Sequence, residues 1–346
     1  MLSLSTNAIS TKAKAMYGRR LRLNNYTELM HKRNIAEIVS YLKQETDYKD
    51  ILKDVRDNSI HRQQLEELLK QDLFEKGLKL MRYATSSDLE FYKYEVYEIE
   101  IDLILNKLTQ LINEDYDTMK FISSIPMFMK KYTHFDMMNL AKATSYLEVA
   151  KCIKSTPYAN ILKPYLVDKT TMNFHKCEIL LKKFYYDLID KMIDKYYKKS
   201  LNKDLKSILY SGIELSNIIK IYRMKKFFNA SSEEIKASLI DFHFRIPLKE
   251  LNRMIEDTDA TEFMKALESS NYKMFSDEKD YVYIEYYADK IRYHLGERFM
   301  NYSNSAPSVY TSYMQLHKLE IANITNIIEG IRYGMSVEEM EKLLII

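Results

Sequence analysis

Seven histidines stand at positions 31, 61, 134, 175, 243, 294 and 317. A zinc site built on one helix needs two of them four residues apart, on the same face. No pair has that spacing. His175-x-Cys177 is the one suggestive pair, but two residues apart on a helix they point to different sides, so both read as packed or solvated groups. A phosphate-cradling loop needs clustered glycines leading into Lys-Ser or Lys-Thr. Gly330 and Gly334 are the only glycines within five residues of each other, and neither leads into such a dipeptide. Nucleotide hydrolysis by this chain is therefore not expected. Serine, histidine and carboxylate side chains of a catalytic set meet in space rather than in sequence, and nothing flags one here. No catalytic residue, metal ligand or cofactor is assigned.

Three basic runs, "HKR" (31–33), "KMIDKYYKK" (191–199) and "RMKK" (223–226), are local positive patches. Their simplest reading is a solvated helix face. Their functional reading is contact with acidic partner loops or anionic headgroups, where each Lys or Arg is worth about 1 kcal/mol. Net charge is only +3, so no global positive field exists to hold a nucleic-acid backbone. The 29 tyrosines suit a large helical core with tyrosine rims, or else an aromatic-rich interface.

The elements that must position these groups are helices. Six Gly and five Pro in 346 residues are few, because average usage would give about 24 and 17. Sheets spend both residues at turns, whereas helices exclude them. Leu181, Tyr185, Leu188, Met192 and Tyr196 form one apolar stripe at helical spacing, and Ile101, Ile104, Leu105, Leu108 and Ile112 form another. "DYVYIEYY" (280–287) is the nearest approach to a strand, and its helical neighbours favour a helix. Pro126, Pro157, Pro164, Pro247 and the stretch 301–308 mark short loops. Two cysteines, Cys152 and Cys177, suggest a reducing compartment. The first residues lack the apolar core of a signal peptide, and no stretch approaches the roughly 20 apolar residues of a membrane span. The expectation is an all-α, cytoplasmic protein.

Two helix openings match. "GMSVEEMEKLLII" (334–346) repeats "NASSEEIKASLI" (229–240), with Ser336 on Ser231 and Gly334 on Asn229. Asn229 and Gly334 suit the left-handed residue that ends a helix. Ser231 with Glu234, and Ser336 with Glu339, then form capping boxes that open the next one. Upstream, "ELSNIIKIYRMKKF" aligns with "EIANITNIIEGIRY", setting Glu214 on Glu320 and Asn217 on Asn323. A second set runs through "QETDYKDIL", "KSTPYANIL" and "EDTDATEFM", where Thr46, Thr156 and Thr258 coincide and Tyr48 falls on Tyr158. A degenerate first copy of the Glu helix runs from Glu98 to Asn113, with Asp115 as its cap. The pattern predicts one integrated helical body of three repeats, 10–125, 126–240 and 241–346, whose matching stretches are offset by about 105 residues.

"STKAKAMYGRRL" and "AEIVSYLKQETDYKDIL" resemble the opening of the C subunit of V-type and A-type ATPases/ATP synthases, called d in the eukaryotic vacuolar enzyme. "GIELSNIIKIYRMKKFF" resembles the family's acid-x-x-Asn helix, with Glu214, Asn217 and Arg223 at matching positions, and "EIANITNIIEGIRYGMSVEEMEKLL" resembles its C-terminal end. The resemblance implies three pseudo-repeated helical lobes around a pseudo-threefold axis, funnel-shaped, on the cytoplasmic face of a membrane. It implies a non-catalytic central-stalk (rotor) protein, one copy per complex. Its partners would be the D and F subunits of the shaft and the c/K/L-type subunits of the membrane rotor ring. It would couple ATP chemistry to proton or sodium transport, with no cofactor and no nucleic acid. Two other readings compete: a helical-repeat adaptor of another assembly, whose period would be about 34–47 residues, and a helical enzyme, which needs a pocket of coupled titratable groups.

Overall fold

The computed structural model describes residues 4–56, 60–115, 117–123, 125–272 and 283–346, without the side chains of 4–7 and 123. No strand occurs among the described residues. Of the strand-like stretch at 280–287, Ile284 onward is helical, and 280–282 lie outside the described residues.

After α1 (Leu4–Tyr17), one order of helices recurs three times: two short, two long, then a cap helix. The first pass is α2 (Leu23–Met30), α3 (Ile35–Glu45), the single turn α4 (Lys49–Leu52), α5 (Arg62–Met81), α6 (Tyr94–Ile112) and α7 (Thr118–Ser123). The second is α8 (Met137–Lys142), α9 (Tyr146–Cys152), the turn α10 (Ala159–Leu162), α11 (Phe174–Tyr196), α12 (Lys199–Phe228) and α13 (Ser232–Ser238). The third is α14 (Leu248–Glu256), α15 (Ala260–Ser269), α16 (Ile284–Tyr302), α17 (Ala306–Tyr333) and α18 (Val337–Glu341).

The same local chemistry starts each second short helix. Asn34, Ser145 and Asp259 are N-caps whose side chains accept from the backbone N–H of Glu37, Glu148 and Glu262. Those three glutamates reach back to the N–H groups of Arg33, Thr144 and Asp259. Each cap of this kind is worth about 1 kcal/mol. The long helices end as their sequences suggest: Asn229 takes φ 45° after α12 and Gly334 takes φ 68° after α17. Ser231 pairs reciprocally with Glu234, and Ser336 with Glu339. After α6 the cap is Asp117, which accepts from Met119 and Lys120 N–H. Asp115 instead accepts the N–H of Asp117, one step upstream of the expected role.

Two compact units divide the chain. One holds Met1–Leu89, Lys198–Ile235 and His243–Ile346, and the other Glu90–Tyr197 and Lys236–Phe242. In the first unit α17 packs against α1, α5, α12 and α16. It is buried on nearly every side, from Val309 through Tyr313 and Leu316 to Ile328, as a helix at a core centre must be. Gly77 and Gly296 sit where Met314 and Leu316 press closest, so helices approach through missing side chains. Gly330 is the tightest such point: a Cβ there would meet Met340 of α18 at 2.5 Å. In the second unit α6 packs against α8, α9 and α11, around Ile101, Ile104, Leu108 and Leu181.

Candidate functional site

A carboxylate stripped of water costs several kcal/mol unless charges or hydrogen bonds replace its hydration. Three glutamates on the second long helices are buried in this way: Glu100 on α6, Glu214 on α12 and Glu320 on α17. Each receives the hydroxyl of a buried tyrosine, Tyr158 at 2.7 Å, Tyr272 at 2.6 Å and Tyr48 at 2.8 Å respectively. Each also receives backbone N–H groups from the segment before a first short helix. Glu214 takes three, from Phe244, Arg245 and Ile246 at 2.7, 2.8 and 3.1 Å. Glu320 takes the N–H of Leu21 at 2.7 Å. Glu100 takes the N–H of His134, whose ring Nδ1 also lies 3.0 Å from the carboxylate.

The tyrosines are aimed by a third arrangement that recurs within the chain. Thr46 donates its hydroxyl to the Leu42 carbonyl and accepts the N–H of Tyr48. Thr156 does the same with Ile153 and Tyr158, and Ser270 with Leu267 and Tyr272. The hydroxyl ends one helix and fixes the turn that swings tyrosine inward. Burial, then the adjoining carboxylate, pushes all three phenols far above the ordinary tyrosine range, so they stay hydrogen-bond donors.

The pairing has a cyclic order. The glutamate closing the first pass clasps the second pass (Glu100 with Tyr158), and that closing the second clasps the third (Glu214 with Tyr272). The glutamate closing the third returns to the first (Glu320 with Tyr48). In sequence the first two pairs are each 58 residues apart and the last is 272 apart.

Several predicted residues therefore meet. Thr46, Tyr48 and Glu320 form one site. Thr156 and Tyr158 belong to a second, and Glu214 anchors a third. Asn323 clamps the main chain of Ile345 with both ends of its amide, at 2.8 and 2.9 Å. Asn217, its counterpart on α12, is likewise buried. Arg223 lies outside these sites, paired with Glu285 at 3.1 Å on a largely exposed side chain.

Two register assignments change. Thr258 is not the counterpart of Thr46 and Thr156: it precedes the N-cap Asp259 and donates to the Met254 carbonyl. Ser270 holds that place. The match to Thr258 arose because a hydroxyl also ends the preceding helix there. Glu100, not Glu98, is the counterpart on α6 of Glu214 and Glu320, and Leu103 stands where the other two copies carry asparagine. Glu100, Tyr272 and Ser270 were missed for these reasons. The shared 58-residue spacing was the available signal.

The Glu320 site carries further charges around the clasp. His317 Nε2 lies 3.2 Å from Asp72 and its Nδ1 3.5 Å from Glu320. Lys76 Nζ lies 2.7 Å from Asp72 and 3.2 Å from Asp47, which also pairs with Arg19 at 3.2 Å. Burial pushes the Asp72 carboxyl up, but the His317 hydrogen bond and the Lys76 charge outweigh it and hold the group below the usual carboxylate range. A cavity of about 130 Å³ adjoins this network, lined in part by Arg19, Arg20, Asp47, Tyr48, His317 and Glu320. No group of three or more His, Cys, Asp or Glu side chains suited to a metal occurs among the described residues. Each of the three clasp carboxylates is engaged by at least one backbone N–H and by a tyrosine hydroxyl.

A family model described as "ATP synthase (C/AC39) subunit" matches residues 9–343. The chain is similar to the C subunit of the A-type ATP synthase of Methanosarcina mazei, 24% identical over 268 residues, covering 76% of this chain and 69% of that one. It is similar also to the C subunit of the A-type ATP synthase of Methanosphaera stadtmanae, 24% identical over 277 residues, covering 76% of this chain and 65% of that one. This chain thus spans about two thirds of the length of those relatives.

Proposed function

The chain belongs to the ATP synthase (C/AC39) subunit family, and from that premise we propose that it is a non-catalytic central-stalk component of a rotary ATPase. In this reading it joins the D/F shaft to the membrane rotor ring and passes torque between them during ATP-linked proton or sodium transport. It works at the cytoplasmic face, one copy per complex, as three lobes around a pseudo-threefold axis.

The observation that carries the reading is the repeated clasp. A torque-bearing joint must resist shear between its helices. Burying three carboxylates, each tied to backbone N–H groups and a tyrosine from a segment remote in sequence, makes that sliding costly. No described helix is long and apolar enough to cross a membrane.

Affinity purification of the tagged chain from native membranes tests this reading. Co-purification of the ATPase head, shaft and ring proteins is the expected result. Recovery of the chain without them, from membranes where the complex is intact, contradicts it.

A further inference from the structure

A basic residue stands two places before the N-cap of each first short helix: Arg20 before Arg22, His134 before Asp136 and Arg245 before Pro247. In two passes it serves the clasp. His134 turns a ring nitrogen to Glu100 at 3.0 Å, and Arg245 lies 5.0 Å over the ring of Tyr272. Arg20 turns instead to α1. Its guanidinium lies 4.0 Å over the ring of Tyr17 and donates one N–H to the Tyr17 carbonyl.

A guanidinium has five N–H donors, so most of those on Arg20 are left for another acceptor. The group meets no carboxylate among the described residues, and it stands in the wall of the cavity of about 130 Å³ beside Glu320. Arg22 borders the same cavity and donates only to the Gly18 carbonyl, at 3.4 Å. On that wall Arg19, Arg20, Arg22 and Lys76 face two carboxylates, Asp47 and Glu320.

The carboxylates nearby are already engaged. Asp47 meets Arg19 and Lys76, and Glu320 takes the Leu21 N–H and the Tyr48 hydroxyl, with His317 at 3.5 Å. Behind the wall, Asp72 meets Lys76 and His317, and Glu297 accepts the hydroxyls of Tyr17 and Tyr293. Two guanidinium forks thus border one cavity with no anion of the chain set against them.

A cavity of this size holds several waters, so one tetrahedral oxyanion fits and a whole nucleotide does not. Planar guanidinium forks match such oxyanions through paired N–H···O bonds. We infer that the cavity is a binding site for an oxyanion of the phosphate class, gripped by Arg20 and Arg22. The ligand is free phosphate or the terminal phosphate of a larger molecule whose remainder stays outside. Stacking on Tyr17 fixes the plane of the Arg20 fork. A ligand bound there ties α1 to the start of α2 and stabilises the folded chain by mass action. The site does not depend on the rotary-joint reading.

Calorimetric titration of the full chain at pH 7.5 tests this, with sodium phosphate and separately with magnesium-free ADP, at an ionic strength held constant with sodium chloride. Saturable binding of one equivalent is expected, weakened about tenfold or more in R20Q and less in R22Q. R20K keeps the charge without the fork and should also bind more weakly. R298Q removes an exposed charge from α16 outside the cavity and should bind as the wild type does. Binding of phosphate alone supports the site and identifies free phosphate as the ligand. Binding of ADP that is lost in R20Q supports it and identifies a terminal phosphate. Phosphate should also raise the thermal midpoint of the wild type above that in matched chloride, and not that of R20Q. No saturable binding of either probe, or equal weakening in R20Q and R298Q, overturns the site.

Discussion

Glu214 and Glu320 occupy the same place on two long helices, yet their burial is stabilised by different means. Around Glu214, three consecutive backbone N–H groups and Tyr272 supply the hydrogen bonds, and the residue three places earlier is a buried serine. Around Glu320 a single backbone N–H and Tyr48 are supplemented by His317, which in turn meets Asp72 and, through it, Lys76. Backbone amides are fixed dipoles that neither titrate nor swing away. One architecture thus carries a clasp held by backbone amides and a clasp set beside a network of side-chain charges.

The largest effect that separates them is removal of the carboxylate. Glu214→Ala strands three N–H donors and a tyrosine hydroxyl, and should cost about 3–5 kcal/mol in denaturant unfolding. Glu320→Ala should cost about 1 kcal/mol less, because it strands one backbone donor rather than three, together with the Tyr48 hydroxyl, beside a cavity that admits water. Equal losses would erase the distinction between the two sites. Next come the tyrosines. Tyr272→Phe and Tyr48→Phe each remove one charged hydrogen bond and should cost about 1.5–3 kcal/mol. The Tyr272 change should fall at the lower end, since Glu214 keeps three other donors.

The acid limb sharpens the contrast further. Asp72 has its carboxyl held low in the folded chain, so its contribution is present above the ordinary aspartate range, near about 3.9. It is lost as pH falls through the folded value. Asp72→Asn should therefore flatten the acid side of the stability profile below the ordinary aspartate range, while Ser211→Ala at the Glu214 site leaves it unchanged. An unaltered acid limb in the Asp72 variant contradicts the assignment of that charge network. The smallest effect expected is at the caps. Ser231→Ala and Ser336→Ala each remove one N-cap and should cost about 1 kcal/mol, equally, because both pair with a glutamate three residues on.

Much of this was legible in the sequence. Scarce glycine and proline, together with helical stripes, pointed to the all-helical class. Asn229 and Gly334 announced the helix ends, and the Ser–Glu pairs announced the starts, because capping uses few residue types at fixed offsets. Glu214 with Glu320, and Tyr48 with Tyr158, stood out as recurring letters. What could not be read is which glutamate meets which tyrosine, since the pairs lie 58 or 272 residues apart. Substitutions of similar or unrelated chemistry hid the rest. Serine replaces threonine at 270, and Leu103 replaces the asparagine that marks the other two glutamate helices. The Asp72–His317 contact joins two elements 245 residues apart and has no periodic signature.

Hydrogen exchange on Glu100→Gln, Glu214→Gln and Glu320→Gln, compared segment by segment with the wild type, tests the cyclic clasp most directly. The account predicts that Glu320→Gln loses protection across 21–48, Glu100→Gln across 134–158 and Glu214→Gln across 244–272, each sparing the other two segments. Protection lost uniformly in every variant, or lost in none, would contradict it.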